Sequence, residues 1–195
     1  MDAGAQFGEQ AAYYAKLVPD RTVYAVDPSP SNIEIINKTY MATLPNLKIH
    51  QSGLGSTIGV RKTPKDAGFN MDDGSEFKVA TLDSLFFDKG ERLGFAHLDV
   101  EGLKLEVLEG GVNTLTTFQP IVTTELRVHH NATYTTLLLT FLDKLLYDSY
   151  VVDEVCGYPS KDYRNVSHIP RKLSRYLPFS DAFQLALATG AIFRV

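Results

Sequence analysis

The chain has 195 residues, enough for one domain with a sizeable buried core, and 44% of them are hydrophobic and 22% charged. The formal net charge of −4 argues against binding to nucleic acid or to an anionic membrane, since both need a basic surface. A single cysteine, Cys156, excludes a disulfide within the chain. These totals predict a folded globular domain with no nucleic-acid partner.

Short runs rich in Val, Ile and Phe alternate along the chain with longer helical patterns, which is typical of βαβ units around a parallel sheet. In chain order, the patterns predict a helix over 8–17, a strand over 22–26, a helix over 31–44 and a strand over 47–50. They continue with a loop or short antiparallel excursion over 60–78, a strand over 95–100, a helix over 104–115 and a strand over 121–126. A helix over 133–146, a strand over 150–155, a loop over 157–177 and a helix or strand over 183–195 complete the chain.

No stretch approaches the roughly 20 apolar residues of a membrane-spanning helix, and the first residues do not form a signal peptide. We therefore expect no membrane span and a cytoplasmic location. With neither a repeat nor a low-complexity linker, residues 1–195 are predicted to form one domain.

The segment DAGAQFG at 2–8 places Gly4 and Gly8 directly before the first predicted helix. Glycines at such a turn permit unusual backbone angles and let a ligand lie against the backbone, while the helix presents free N–H groups. Alone, this pattern fits a tight strand-to-helix turn as well as a ligand site.

Asp27 strengthens the ligand interpretation because it ends the next predicted strand, about twenty residues beyond Gly4. A doubly wound fold places there the carboxylate that accepts hydrogen bonds from ribose hydroxyls. An Asx turn before Pro28 is the structural alternative. A dinucleotide turn would carry glycine where Gln6 stands, whereas Asp2 suits a ligand with an amino group, such as the methionine part of S-adenosylmethionine.

Four blocks resemble the FkbM-type methyltransferases: DAGAQFG at 2–8, VYAVDPSPSN at 23–32, TLDSL at 81–85 and HLDVEGLKLEVLEGG at 97–111. Glu125 and the segment RNVSHIPRKL at 164–173 are similar to later parts of the same family. The resemblance covers nearly the whole chain in order, and its D-V-E-G block followed by E-V-L-x-G-G is the most specific part.

The resemblance implies a class I methyltransferase fold, which is a Rossmann-like three-layer α/β sandwich with a mostly parallel sheet. It implies S-adenosylmethionine as cofactor and a hydroxyl oxygen as methyl acceptor. By the same analogy, Asp2 and Gly4 face the methionine portion, Asp27 faces the ribose, and Ser52, Gly53 and Leu54 border the adenine. Gly8 is expected to be a further cofactor-binding residue. Family members have a full strand before the D-x-G turn, so the first strand is predicted to be truncated here.

Candidate acceptor-side residues follow the fourth and fifth predicted strands, because open α/β sheets bind ligands outside the carboxyl ends of their strands. Asp99 is expected to act as general base or to hold the acceptor or the cofactor's amino group. Glu125 is a second candidate, with a salt bridge to Arg127 as its structural alternative. His129 is a third, and its neighbour His130 is equally placed; no metal site is predicted, because adjacent histidines on a strand diverge.

The predicted function is therefore O-methylation of a hydroxyl on a small molecule or glycan, with residues 1–126 as the cofactor half and 127–195 as the acceptor half. Two alternatives stay open at this stage. One is an NAD-dependent Rossmann oxidoreductase, which Gln6 disfavours; the other is a truncated, non-catalytic methyltransferase-like protein.

Overall fold

The computed structural model describes residues 1–63, 71–126, 132–152, 164–174 and 192–194. The chain forms two compact units, the first made of residues 1–93 and 97–117 and the second of residues 94–96 and 118–195. The division into halves at residue 126 stays a prediction.

The elements alternate between strands and helices, as the hydrophobic pattern predicts. Up to residue 93 they are β1 (Asp2–Ala3), α1 (Glu9–Leu17), β2 (Val23–Asp27), α2 (Pro30–Tyr40), β3 (Leu47–Gln51), β4 (Gly53–Leu54), β5 (Gly59–Lys62), β6 (Glu76–Ala80) and a π-helix (Asp83–Phe87). The remaining described elements are β7 (Phe95–Leu98), α3 (Lys104–Glu109), α4 (Val112–Phe118), β8 (Ile121–Leu126), α5 (Ala132–Lys144), β9 (Tyr147–Val152), β10 (Arg164–Pro170), α6 (Arg171–Ser174) and β11 (Ile192–Arg194).

A parallel sheet with the strand order β7–β1–β2–β3 forms the centre of the first unit. β1 has two residues and lies between β2 and β7, with Ala3 opposite both Val26 and Leu98. Val26 is in turn opposite His50 on β3. The next residue of each strand, namely Gly4, Asp27, Gln51 and Asp99, therefore lies at one carboxyl edge of the sheet.

Small residues on the inner face of α1 bring that helix close to the sheet. Ala11, Ala12 and Ala15 are buried in one apolar cluster with Val23 and Ala25 of β2. Alanine side chains occupy little space, so the helix backbone can lie near the strand and its N-terminus can approach the carboxyl edge.

A separate sheet with the order β4–β6–β5 lies between β3 and the π-helix in sequence. β5 and β6 are antiparallel, which confirms the antiparallel excursion predicted for this stretch, although residues 64–70 lie outside the described part. β4 runs parallel to β6, with Gly53 opposite Val79 and Leu54 opposite Ala80.

In the second unit, the loop predicted over 157–177 is wrong for the part that the structure describes as a strand. Residues 164–170 form β10, which lies antiparallel between β8 and β9. The loop was predicted from charged and aromatic residues, but inside β10 His168 is completely buried, with Nδ1 2.7 Å from Ser149 Oγ and Nε2 3.0 Å from Thr124 Oγ1. These two bonds satisfy both ring nitrogens, so a polar residue is accommodated in a central strand.

Two predicted helix boundaries are also wrong. α2 begins at Pro30 with Ser29 as N-cap, whose hydroxyl accepts a hydrogen bond from the Asn32 N–H, rather than with Ser31. The helix predicted over 104–115 is two helices separated at Gly110 and Gly111. The close packing at this break requires a glycine, since a Cβ at Gly110 would lie 2.1 Å from the Gly55 carbonyl oxygen.

Candidate cofactor site

Gly4 is the point at which the backbones of β1 and β7 come into contact. Its φ is +80°, and a Cβ there would lie 2.0 Å from the Asp99 carbonyl oxygen. The N–H groups of Gly4 and Ala5 both donate to the Val26 carbonyl, at 3.0 and 3.2 Å. A side chain at residue 4 would therefore need both a strained φ and a displaced backbone.

The N-terminus of α1 is capped from outside the helix. Gly8 is the N-cap residue, with φ +82° and no side chain to offer, and a Cβ there would lie 2.8 Å from Ile36 Cγ1. The Asp2 carboxylate instead accepts a hydrogen bond from the N–H of Ala11, in the first turn. The glycine turn thus connects β1 to α1 so that the Asp2 carboxylate lies at the N-terminus of the helix.

Asp2 is a buried acid, and one oxygen of its carboxylate can accept a further hydrogen bond. It is 2% exposed, and within the described part of the chain its Oδ2 has no hydrogen-bond partner. Burial raises its pKa to about 6; the N-terminal ammonium and the Ala11 N–H oppose that rise, while the carboxylates of Asp99 and Asp27 add to it. Such an acceptor is suited to a cationic hydrogen-bond donor such as an ammonium group.

Asp27 is held in one orientation by three donors. Its Oδ1 accepts from the Ser29 N–H at 2.9 Å and from Asn32 Nδ2 at 3.1 Å, and its Oδ2 accepts from the Gln6 N–H at 2.9 Å. Burial raises the pKa of this carboxyl, and the three hydrogen bonds oppose the rise. Asp27 therefore closes an Asx turn and can also accept hydrogen bonds from a ligand, because each carboxylate oxygen can accept more than one hydrogen bond.

Gln6 and Asn32 are partners of Asp27 that were not expected from the sequence. Gln6 has φ +45°, which is unusual for a residue with a side chain, and this conformation accompanies its N–H bond to Asp27. Asn32 is 3% exposed although it is polar, and its position five residues after Asp27 in the block DPSPSN was the available signal.

Asp99 follows β7 and is exposed at the same edge. Its N–H donates to the Ala3 carbonyl at 2.9 Å, which fixes its backbone beside the glycine turn. Burial lowers the pKa of the nearby His97, and the Asp99 charge opposes that change. The first unit thus brings Asp2, Asp27 and Asp99 together around Gly4.

Ser52 and Gly53 follow β3, whose last residue Gln51 is opposite Asp27. Ser52 is 3% exposed, and its Oγ has no partner among the described residues. A Cβ on Gly53 would lie 2.6 Å from Phe77 Cε2, so the aromatic ring lies directly against this glycine. The segment therefore offers an unused hydroxyl next to an apolar wall.

The other predicted acceptor-side residues lie in the second unit or outside the described part of the chain. Glu125 is half-buried on β8 of the second unit, in register with Asn165. His129, His130 and Arg127, the proposed salt-bridge partner of Glu125, lie outside the described residues. In the ranges that the structure describes, no group of three His, Cys, Asp or Glu side chains could hold a metal ion, and no helix is long and apolar enough to cross a membrane.

Asp83 has a structural role, in which its carboxylate caps a helix other than the one that it begins. Its Oδ1 accepts from the Thr114 N–H at 2.7 Å and its Oδ2 from Asn113 Nδ2 at 2.9 Å and the Asn113 N–H at 3.2 Å. It therefore caps α4, thirty residues away, rather than the helix that it begins.

The methyltransferase blocks thus lie on elements that place an acidic, glycine-lined edge where a Rossmann-like sheet binds its ligand. The family described as Methyltransferase FkbM domain matches residues 2–158. This chain belongs to the FkbM methyltransferase family. The family prediction is therefore confirmed.

Solved structures confirm the class I methyltransferase fold. A methyltransferase FkbM from Methylobacillus flagellatus KT is 19% identical with a TM-score of 0.62, over 86% of this chain and 42% of that one. An rRNA methylase from Streptococcus thermophilus is 11% identical with a TM-score of 0.51, over 87% and 84%. A precorrin-6y C5,15-methyltransferase from Geobacter metallireducens GS-15 is 11% identical with a TM-score of 0.50, over 86% and 76%.

This FkbM-family chain therefore spans less than half the length of the Methylobacillus protein. At these identities the likeness concerns the fold, and the acceptors of those enzymes are not transferred to this chain. A search of curated protein sequences finds no match.

Proposed function

We propose that this chain transfers the methyl group of S-adenosylmethionine to a hydroxyl oxygen of a small molecule or sugar, with the donor bound at the carboxyl edge of β1, β2 and β3. One observation carries this proposal: the buried Asp2 carboxylate has an unused oxygen beside Gly4, at the level where Asp27 and Asp99 end their strands. An unpaired buried acceptor costs folding free energy, so a ligand that donates to it explains why the residue is there.

The residues at this edge fit the donor part by part. The Asp2 oxygen that lacks a partner among the described residues suits the methionine ammonium. The oriented Asp27 carboxylate suits the ribose hydroxyls, which are neutral hydrogen-bond donors. Ser52 and Gly53, next in the chain after the neighbour of Asp27, suit the adenine.

S-adenosylmethionine supplies a methyl group bonded to a positively charged sulfur, which an acceptor oxygen displaces. The chain's contribution is to align the two reactants and to accept the hydroxyl proton. Asp99 is our first candidate for the proton acceptor because it is exposed at the donor edge. Glu125, on β8, and His129 are further candidates for the proton acceptor.

Two competing functions make different predictions. An NAD-dependent oxidoreductase needs room for a pyrophosphate at the turn, whereas Gln6 places a side chain there and its N–H is already bonded to Asp27. A non-catalytic relative would bind the donor without turning it over.

The test combines calorimetric titration with a transfer assay. We expect binding of S-adenosylmethionine and not of NAD, and transfer of labelled methyl to polyols or sugars but not to analogues that lack the hydroxyl. Binding of NAD alone would contradict the methyltransferase proposal. Methyl transfer to a nitrogen or carbon atom would contradict O-methylation while leaving the donor site intact.

A further inference from the structure

The blocks TLDSL and E-V-L-x-G-G meet at a chain of contacts that ends at Gly55 of segment 52–55, two residues after the predicted adenine residues Ser52 and Gly53. These blocks lie outside the donor edge, and neither Asp83 nor Gly110 is among the residues assigned to the cofactor above. The contacts of Asp83, Gly110 and Gly55 show what these residues do.

Gly110 is in direct contact with Gly55. A Cβ on Gly110 would lie 2.1 Å from the Gly55 carbonyl oxygen and 3.1 Å from its carbonyl carbon. Gly110 has φ −74°, an ordinary value for any residue, so the close approach to Gly55 is what requires a glycine here. The backbone at 55 therefore rests against the turn between α3 and α4.

Asp83 fixes this turn from two directions. Its backbone N–H donates to the Gly110 carbonyl at 3.0 Å, and its carboxylate accepts the N–H groups of Asn113 and Thr114 at the start of α4. Thr81 and Ser84 hold Asp83 in turn, because each donates its backbone N–H to the hydroxyl of the other, at 3.1 and 3.0 Å.

The other side of the segment is fixed by the small sheet. The Gly55 N–H donates to the Ala80 carbonyl at 3.1 Å, directly before Thr81, and the Phe77 ring packs on Gly53. Segment 52–55 is thus held between β6 and the Gly110 turn, and Asp83 connects the two. A displacement of Gly110 would move Gly55, which it contacts, and Gly55 is only three residues after Ser52 in the chain.

We propose that Asp83 and Gly110 are positioning residues for the donor's base: they hold segment 52–55 in the place where Ser52 and Gly53 distinguish adenine from other purines. This proposal rests on the proposed function, because it assumes the adenine at Ser52 and Gly53. It assigns to the TLDSL and G-G blocks a role in recognition, exerted through the backbone of Gly55.

The experiment uses Asp83→Asn and Gly110→Ala, with Gly59→Ala as matched control because a Cβ on Gly59 meets nothing within 4 Å. Dissociation constants are measured for S-adenosylhomocysteine and for S-inosylhomocysteine, which has a 6-oxo group in place of the 6-amino group. Melting temperatures are recorded for every variant, so that loss of stability is separated from loss of recognition.

We expect the wild type and Gly59→Ala to prefer the adenine compound, and both site variants to bind it about tenfold more weakly with most of that preference lost. Asp83→Asn tests the proposal independently if Gly110→Ala does not fold. Lower melting temperatures with an unchanged preference would overturn the positioning role. Failure of the wild type to bind S-adenosylhomocysteine would overturn the proposed function itself and, with it, this inference.

Discussion

Asp2 is the residue in which stability and ligand binding oppose each other most clearly. Its carboxylate is buried with one oxygen lacking a partner among the described residues, and its pKa is raised to about 6, mainly by burial. Folding therefore favours the protonated acid, whereas an ammonium ligand favours the carboxylate. Both consequences can be measured.

We expect the affinity for S-adenosylmethionine to fall as the pH drops through 6. The ligand ammonium stabilises ionised Asp2, so the pKa of Asp2 is lower in the complex, and protonation of the free site competes with binding. The dissociation constant should rise by up to about tenfold per pH unit below 6. Titration at several pH values checks this, and Asp2→Asn should bind more weakly with a flat profile; an equally steep profile in Asp2→Asn would place the titrating group elsewhere.

Asp2→Asn should also stabilise the ligand-free protein. A carboxyl whose pKa is raised from 3.8 to about 6 loses stability as the pH rises through that window, and the full cost is present above it. The variant should therefore be more stable at pH 8 by about 1–3 kcal/mol, and the gain should disappear near pH 4. Urea unfolding checks this against Asp20→Asn at an exposed position, and a destabilised Asp2→Asn would contradict the account.

The buried His168 gives the free energy of unfolding the opposite dependence on pH. Complete burial lowers its pKa from 6.5 to about 3, so the unfolded chain binds the proton more tightly and stability falls as the pH drops below 6.5. The contribution is roughly 1.4 kcal/mol per pH unit in that window. The triple variant His168→Leu, Ser149→Ala, Thr124→Val removes the whole buried network, and its free energy of unfolding should lose this slope; an unchanged slope would assign acid sensitivity to other groups.

At the scale of elements, the glycine turn is the most constrained junction of the first unit. Gly4→Ala combines a positive φ with a Cβ that would lie 2.0 Å from the Asp99 carbonyl oxygen, whereas Gly90 has φ +65° and open space around it. Gly90→Ala should lower the free energy of unfolding by about 1 kcal/mol, because only the positive φ opposes a side chain there. Gly4→Ala should lower the free energy of unfolding by at least twice as much and abolish donor binding. Equal losses of stability in the two variants would show that the contact between Gly4 and the Asp99 backbone is unimportant.

Elements whose determinants lie close together in sequence could be predicted. α1 begins and ends as expected because Gly8 and Pro19 flank an amphipathic run, and Asp27 was identified because it directly follows a buried strand. The break at Gly110 was not predicted, and the contact that requires a glycine there is made by the Gly55 backbone, more than fifty residues earlier. β10 was missed because His168 becomes compatible with a buried strand only through Ser149 and Thr124, on two other strands.

At the scale of the whole molecule, the order of the blocks indicated the family and the fold, because a parallel α/β sheet brings the carboxyl ends of distant strands to one edge. The hydrogen-bond partners at that edge could not be read from the sequence. Asp2 and Asp27 were expected to contact a ligand, but the structure adds that each first serves the protein, by capping α1 and by closing the turn at Ser29. Such double roles depend on register, which the sequence pattern alone does not specify.

The central claim is that Asp27 and its neighbours at the carboxyl edge bind S-adenosylmethionine. Its most direct test is the calorimetric dissociation constant of wild type, Asp27→Asn and Ser29→Ala, where the last variant removes the cap of α2 but keeps the Asp27 carboxylate. We predict that Asp27→Asn weakens binding by about tenfold or more, and that Ser29→Ala loses stability but retains most of the affinity. An unchanged dissociation constant in Asp27→Asn would contradict the account.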